Sequence, residues 1–119
     1  MELTQMSQLI EQKIKQMDAV DGILDILAEQ KSSATGLYEL ALAKKIIQLK
    51  NGIEFNIDGE KVQNPPTTII EKIAKGLCYS ESIHKDLCES KYKNAITRID
   101  MLKSQLNGYQ SINRYMKEI

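Results

Sequence analysis

The chain has 119 residues, enough for one modest core, and its 16 basic and 16 acidic side chains cancel, so no whole-molecule field draws it onto nucleic acid or anionic lipid. No apolar run approaches the ~20 residues of a membrane span and no signal-peptide pattern opens the sequence, so we expect an intracellular protein without a membrane partner. The balance hides an asymmetry. Residues 1–60 hold six Lys against ten Asp/Glu, and residues 61–119 hold ten Lys/Arg against six Asp/Glu, about −4 and +4, which favours packing of one half on the other within a chain or between chains.

Residues 1–31 form the first expected element. Leu3, Met6, Ile10, Met17, Val20, Leu24 and Leu27 recur at three- and four-residue steps, a heptad seam missed only at Lys13, with Ile14 beside the gap. Glu11, Asp18 and Asp25 repeat every seven residues on another face, giving an acidic stripe: either a solvated helix surface or a docking strip for a basic partner. "KSSATG" (31–36) weakens this pattern without a proline to stop it. Leu37, Leu40, Ala41, Lys44 and Ile47 then resume helical spacing in a shifted register, which fits one long bent helix or two helices with a kink near Ser32–Gly36, the second over 33–50. Asn51-Gly52 suits a helix C-cap.

Between residues 53 and 63 the period changes to two. Ile53, Phe55 and Ile57 alternate, Asp58-Gly59 fits a type I′ turn, and Phe55 falls opposite Val62, so the spacing predicts a β-hairpin with one apolar face. Two strands alone are marginal in water, so that face must lie on the helices or on another subunit. Pro65-Pro66 end the extension, and Thr68 with Glu71 reads as a capping box opening a short helix over 67–77. "SES" (80–82) offers a fresh cap for a last helix over 82–117. Its seam is Cys88, Tyr92, Ala95, Ile99, Leu102, Leu106, Tyr109, Asn113 and Met116, with Gly108 a soft point. Thirty-six helical residues span about 54 Å.

The fold class that follows is mainly α: an antiparallel hairpin of long, coiled-coil-like helices in a single domain, with a small β-hairpin insert that reverses the chain and a short connecting helix. Single-file seams bury little against roughly 1–2 kcal/mol of backbone entropy per residue, so the seams are expected to close against partner subunits in a homo-oligomer.

Little in the sequence suggests catalysis. Cys78 and Cys88 are ten apart, about 1000° round a helix, so they form neither a CxxC site nor an intrahelical bridge and read as free thiols. His84 is the only histidine and has no partner at nucleophile or metal-ligand spacing. No Gly-rich loop precedes a lysine. We therefore expect no enzyme, no metal and no cofactor. The remaining candidate is the basic last helix, where Lys91, Lys93, Arg98, Lys103, Arg114 and Lys117 interleave with Tyr92, Tyr109 and Tyr115. Such a mixture can follow a phosphate backbone and stack bases; Lys91 and Arg98 can equally pair with the acidic first helix.

"TTIIEKIAKG", a short break, and "HKDLCESKYKNAITRIDMLKSQLNGYQSINRYM" resemble a pattern in small helical phage proteins, the T-even-type recombination mediators and related recombination accessories. There a Thr-initiated short helix leads into a long helix with a terminal Ser/Asn-rich turn. The likeness covers about residues 37–117 and rests on helix order and on Thr67, Ile70, Tyr92, Ala95, Leu102, Ser104, Asn107 and Ser111. It implies an oligomeric helical protein of the host-cell cytoplasm that binds single-stranded DNA and helps load a recombinase onto strands covered by single-strand-binding protein. Lys91, Lys93, Arg98, Lys103, Arg114, Lys117 and Tyr115 would then make the DNA contacts. The alternative is a phage-derived protein–protein module, an inhibitor or scaffold, that meets a phage or host protein through Glu11, Asp18, Asp25 or the hairpin edge at Phe55.

Overall fold

The computed structural model describes residues 2–118. Helix α1 spans Leu3–Lys50, strands β1 and β2 span Phe55–Ile57 and Glu60–Val62, a 3-10 turn covers Thr67–Ile69, and helices α2 and α3 span Ile70–Leu77 and Tyr79–Glu118. The fold is mainly α, an antiparallel pair of long helices with a two-stranded insert and a short connecting helix. The chain divides into two compact units. A terminal unit joins Met1–Glu29 to Ser90–Ile119, and a central unit holds Gln30–Glu89.

In the terminal unit α1 meets α3. Met6 on α1 and Ala95 and Leu102 on α3 are buried, and Ile10, Met17, Val20, Leu24 and Leu27 are half-buried opposite Tyr92, Ile99, Leu106, Tyr109 and Met116. The expected seams are therefore the ones that meet within the chain. Leu3 is the member that stays exposed.

The central unit adds further layers to the helices. Leu49, Ile70 and Ala74 form a buried cluster against which Leu42, Ile46, Phe55, Val62, Ile73 and Leu77 pack. Phe55 pairs with Val62 in the antiparallel register that the alternation predicts, and Asp58 and Gly59 take the positive φ values, 47° and 87°, of a type I′ turn. The Asn56 side chain accepts the Gly59 N–H at 2.8 Å and steadies that turn.

α1 ends in a Schellman motif: Gly52 at φ 78° donates to the Leu49 carbonyl at 3.2 Å, and Ile53 donates to the Gln48 carbonyl at 3.1 Å. The Gln63 amide then donates to the Gly52 carbonyl at 3.0 Å, tying the exit of β2 back to the cap.

Residues 3–50 take the single-helix alternative, and four other local expectations change. α1 is one helix, with no break between the segments expected at 1–31 and 33–50, because Ser, Thr and Gly in "KSSATG" lower helix propensity without removing a backbone donor. The buried row does not shift register there either. It continues through Lys31, Ala34, Tyr38, Ala41 and Lys45, and it widens onto Leu42, Ile46 and Leu49 where α2 and the strands cover a second side of the helix.

The Thr68–Glu71 capping box does not form, as neither the 3-10 turn nor α2 has a side-chain cap. Pro66 starts the turn instead, and its carbonyl accepts the Ile69 N–H at 3.0 Å, which places Thr68 inside a turn rather than at a cap. Finally, α3 begins at Tyr79, and the Ser82 N–H already bonds the Cys78 carbonyl at 3.0 Å, so "SES" is interior to the helix. α3 also runs through Ser104–Ser111 without the terminal turn that the resemblance implied.

Candidate interaction surface

The seven proposed DNA contacts are all exposed on α3 of the terminal unit. They do not share a face. Lys91 and Arg98, seven apart, flank one side of the seam, and Lys103 and Lys117 flank the other. Lys93, Arg114 and Tyr115 lie toward the back of the helix. Among the described residues neither Lys91 nor Arg98 forms an ion pair with the acidic stripe of α1. Arg98 instead lines a groove of about 400 Å³ with Gln16, Ala19, Val20, Ile23, Asn94 and Ala95.

The acids behave differently. Glu11, Asp18 and Asp25 fall on one exposed line of α1, seven residues apart on an unbroken helix. Phe55, the fourth residue proposed for partner binding, is half-buried against the central cluster with the Lys45 ammonium 4.9 Å from its ring centre.

The two thiols are free and buried in the central unit. The Cys78 thiol is pushed above its ordinary value by burial, with the Glu81 carboxylate adding to the shift and the Lys45 ammonium opposing it. Cys88 lies 3.8 Å from the His84 Nε2, one helical turn away. Among the described residues no group of three or more His, Cys, Asp or Glu side chains is gathered to hold a metal ion. No helix among them is long and apolar enough to cross a membrane.

Of the row Leu37, Leu40, Ala41, Lys44 and Ile47, read as a continuation of the packing seam in a shifted register, Ala41 lies on the seam and the other four lie about 110° round α1 from it. Leu37, Leu40 and Ile47 are 56%, 53% and 58% exposed. The real seam at this level consists of Ala34, Tyr38, Ala41 and the half-buried stems of Lys31 and Lys45, which no count of large apolar residues selects. Across it the Lys85 ammonium sits 5.2 Å from the Tyr38 ring centre, holding α1 to α3 in this unit.

Beside the outer row runs an open groove of about 460 Å³. Leu37, Leu40 and Ala41 give it an apolar wall, and Lys44, Lys45, Gln48 and Glu81 supply its polar groups. The Gln48 Oε1 in this groove is buried with no hydrogen-bond partner. Among the described residues Lys44 and Glu81 make no ion pair. Gly36, on the same side of α1, has nothing within 4 Å of where a Cβ would stand. A helical glycine in open space weakens the helix by about 0.5–1 kcal/mol relative to alanine, and nothing inside the chain uses the room it leaves.

This surface therefore combines an apolar row, a small residue that admits close approach, and one charged side chain of each sign outside any ion pair among the described residues. No protein-family model, no curated protein and no solved structure matches the chain.

Proposed function

We propose that the protein is a non-enzymatic helical interaction module that receives a partner helix along the outer row of α1 in the central unit. One observation supports this above the rest: Leu37, Leu40 and Ile47 each stand more than half exposed on a helix whose packing needs are already met on another face. Helix-spaced apolar residues beside a groove are the groundwork of helix-in-groove recognition. Burying the three side chains is worth about 1 kcal/mol each once their present exposure is allowed for. The aligned acids Glu11, Asp18 and Asp25 add a separate strip on the terminal unit suited to a basic partner.

A lysine-directed cross-linker applied to the chain in its native cell, with the products mapped by mass spectrometry, tests this. Lys44 or Lys50 should be joined to another polypeptide, which includes a further copy of this chain. The double substitution Leu37→Glu/Leu40→Glu should remove those links and spare others. The recombination-accessory reading, in which single-stranded DNA is the ligand, is the outcome that would displace ours. A labelled oligonucleotide would then bind at low salt, with log affinity falling about 0.7 per phosphate neutralised per decade of salt. Alanine at Lys91, Lys93, Arg98 and Lys103 would abolish that binding.

A further inference from the structure

We infer that the groove beside Leu37, Leu40 and Ile47 is filled by a second copy of this chain, related to the first by a two-fold axis that places Lys44 of each copy against Glu81 of the other. The inference rests on reading the outer row as a docking surface, and it names the occupant.

Area comes first. The chain exposes 8542 Å² at 13.5 kDa. A monomeric protein of that mass ordinarily exposes about 6,500 Å². The surplus is roughly 2,000 Å², more than twice the ~800 Å² that each partner of a stable pair buries. A surface of the needed size is therefore available; Leu37, Leu40 and Ile47 are three of its exposed large apolar side chains, and others such as Ile26, Met101 and Tyr115 lie elsewhere on the helices.

Charge then selects the partner. A two-fold interface brings the same patch of both copies together, so a patch that fits itself must hold both members of any ion pair it uses. The groove does. Lys44 stands on α1 and Glu81 on α3, both lining it and neither ion-paired among the described residues. A foreign partner needs only a sign opposite to one of them. A second copy turned through the two-fold satisfies Lys44 and Glu81 twice over with no other residue recruited.

The remaining features suit the same occupant. Gly36 on the same side of α1 lets another helix backbone approach closely. Lys44 interrupts an otherwise apolar row, which costs little on a solvated surface and fixes the register once the row is covered.

Charge swapping tests this without relying on loss of function alone. Sedimentation or light scattering of the full chain at micromolar concentration should give a dimer. Lys44→Glu sets two carboxylates against each other at both ends of the interface, and Glu81→Lys does the same with two ammonium groups. Each variant alone should weaken self-association by about 100-fold or more while keeping its helical circular dichroism. Mixed together, the two variants restore both attractive contacts and should form a heterodimer, and the double variant Lys44→Glu/Glu81→Lys should dimerise on its own. Lys72→Glu, a charge reversal on exposed α2, should leave the dimer intact.

A monomeric wild type overturns the inference. So does a dimer insensitive to either swap, or a mixture of the two variants that stays monomeric. If the wild type is monomeric yet Lys44 cross-links to a different polypeptide, the second copy is excluded and the docking reading survives.

Discussion

The two units use the same pair of helices and hold them by different means. In the terminal unit each seam side chain has one helix on one side of it, and what is buried is Met6, Ala95 and Leu102. In the central unit α2 and the strands wrap a further side of α1, so that Leu49 packs among Ile70, Ala74 and their neighbours. Two helices sharing one edge can shift past one another at low cost, whereas a side chain enclosed by three elements cannot. The insert does more than reverse the chain: it converts a helix edge into a core. The central unit is expected to be the thermodynamic anchor, with the terminal unit opening first.

The sharpest way to break that comparison is to cut one leucine in each unit. Leu49→Ala should cost about 3 kcal/mol, because its pocket is walled on several sides and relaxes only partly. Leu102→Ala should cost nearer ~2 kcal/mol, since a two-helix contact can collapse onto the smaller side chain. Urea denaturation with hydrogen exchange localises each loss. Equal costs, or a larger one at Leu102, would mean that the extra layer contributes nothing.

The next effect concerns how the insert is attached. Gly52→Ala places a Cβ on a residue at φ 78° and 3.1 Å from the Asn64 Oδ1. The left-handed conformation alone costs about 1–2 kcal/mol for a residue with a Cβ. The loss should appear as faster exchange at the amides of Gly52 and Ile53, which make the C-cap bonds, with the terminal unit unaffected.

How far these units were legible in advance depended on what the sequence spells out locally. The hairpin register, the Asp58-Gly59 turn and the Asn51-Gly52 stop rest on residues whose own backbone preferences determine the geometry, and each is found. The α3 seam from Cys88 to Met116 was legible because apolar and aromatic residues mark every position of it but Asn113. The α1 seam after residue 31 was not. There the inward positions are Lys31, Ala34, Tyr38, Ala41 and Lys45, of which only Ala41 belonged to the expected row, while Leu37, Leu40 and Ile47 lie about 110° round the helix. Periodicity identifies an apolar face and cannot say which of two faces the rest of the chain will cover. The candidate surface emerged from that ambiguity, and the basic residues of α3, conspicuous in composition, turned out to be spread round their helix. Thr68 failed as a cap because Pro66, two residues earlier, had already set the turn.

The terminal unit also holds glycines that nothing inside the chain requires. Gly22 on α1 and Gly108 on α3 lie in helix interiors with no atom within 4 Å of a built Cβ. Gly22→Ala and Gly108→Ala should each stabilise that unit by about 0.5–1 kcal/mol through helix propensity alone. Slower exchange confined to residues 3–29 and 90–118 would sharpen the contrast, by showing that this unit is limited by its local backbone rather than by packing. A loss of stability at either site would instead mean that another helix lies against the vacant space.

The smallest expected effect is a pH dependence that belongs to the central unit. Burial holds the Cys78 proton more tightly in the folded chain than in the unfolded one, with Glu81 reinforcing this and Lys45 opposing it. Below the ordinary thiol value both states carry the proton, and the thiol contributes no slope. As pH rises through that value the unfolded chain loses its proton first, so stability falls until the raised folded value is passed. Cys78→Ala removes this term. Urea midpoints of wild type and variant should run parallel from neutral pH to the start of thiol ionisation, then diverge, with the wild type falling faster. If the two stay parallel into the alkaline range, Cys78 is reaching water in the folded state, and the central unit is then no better closed than the terminal one.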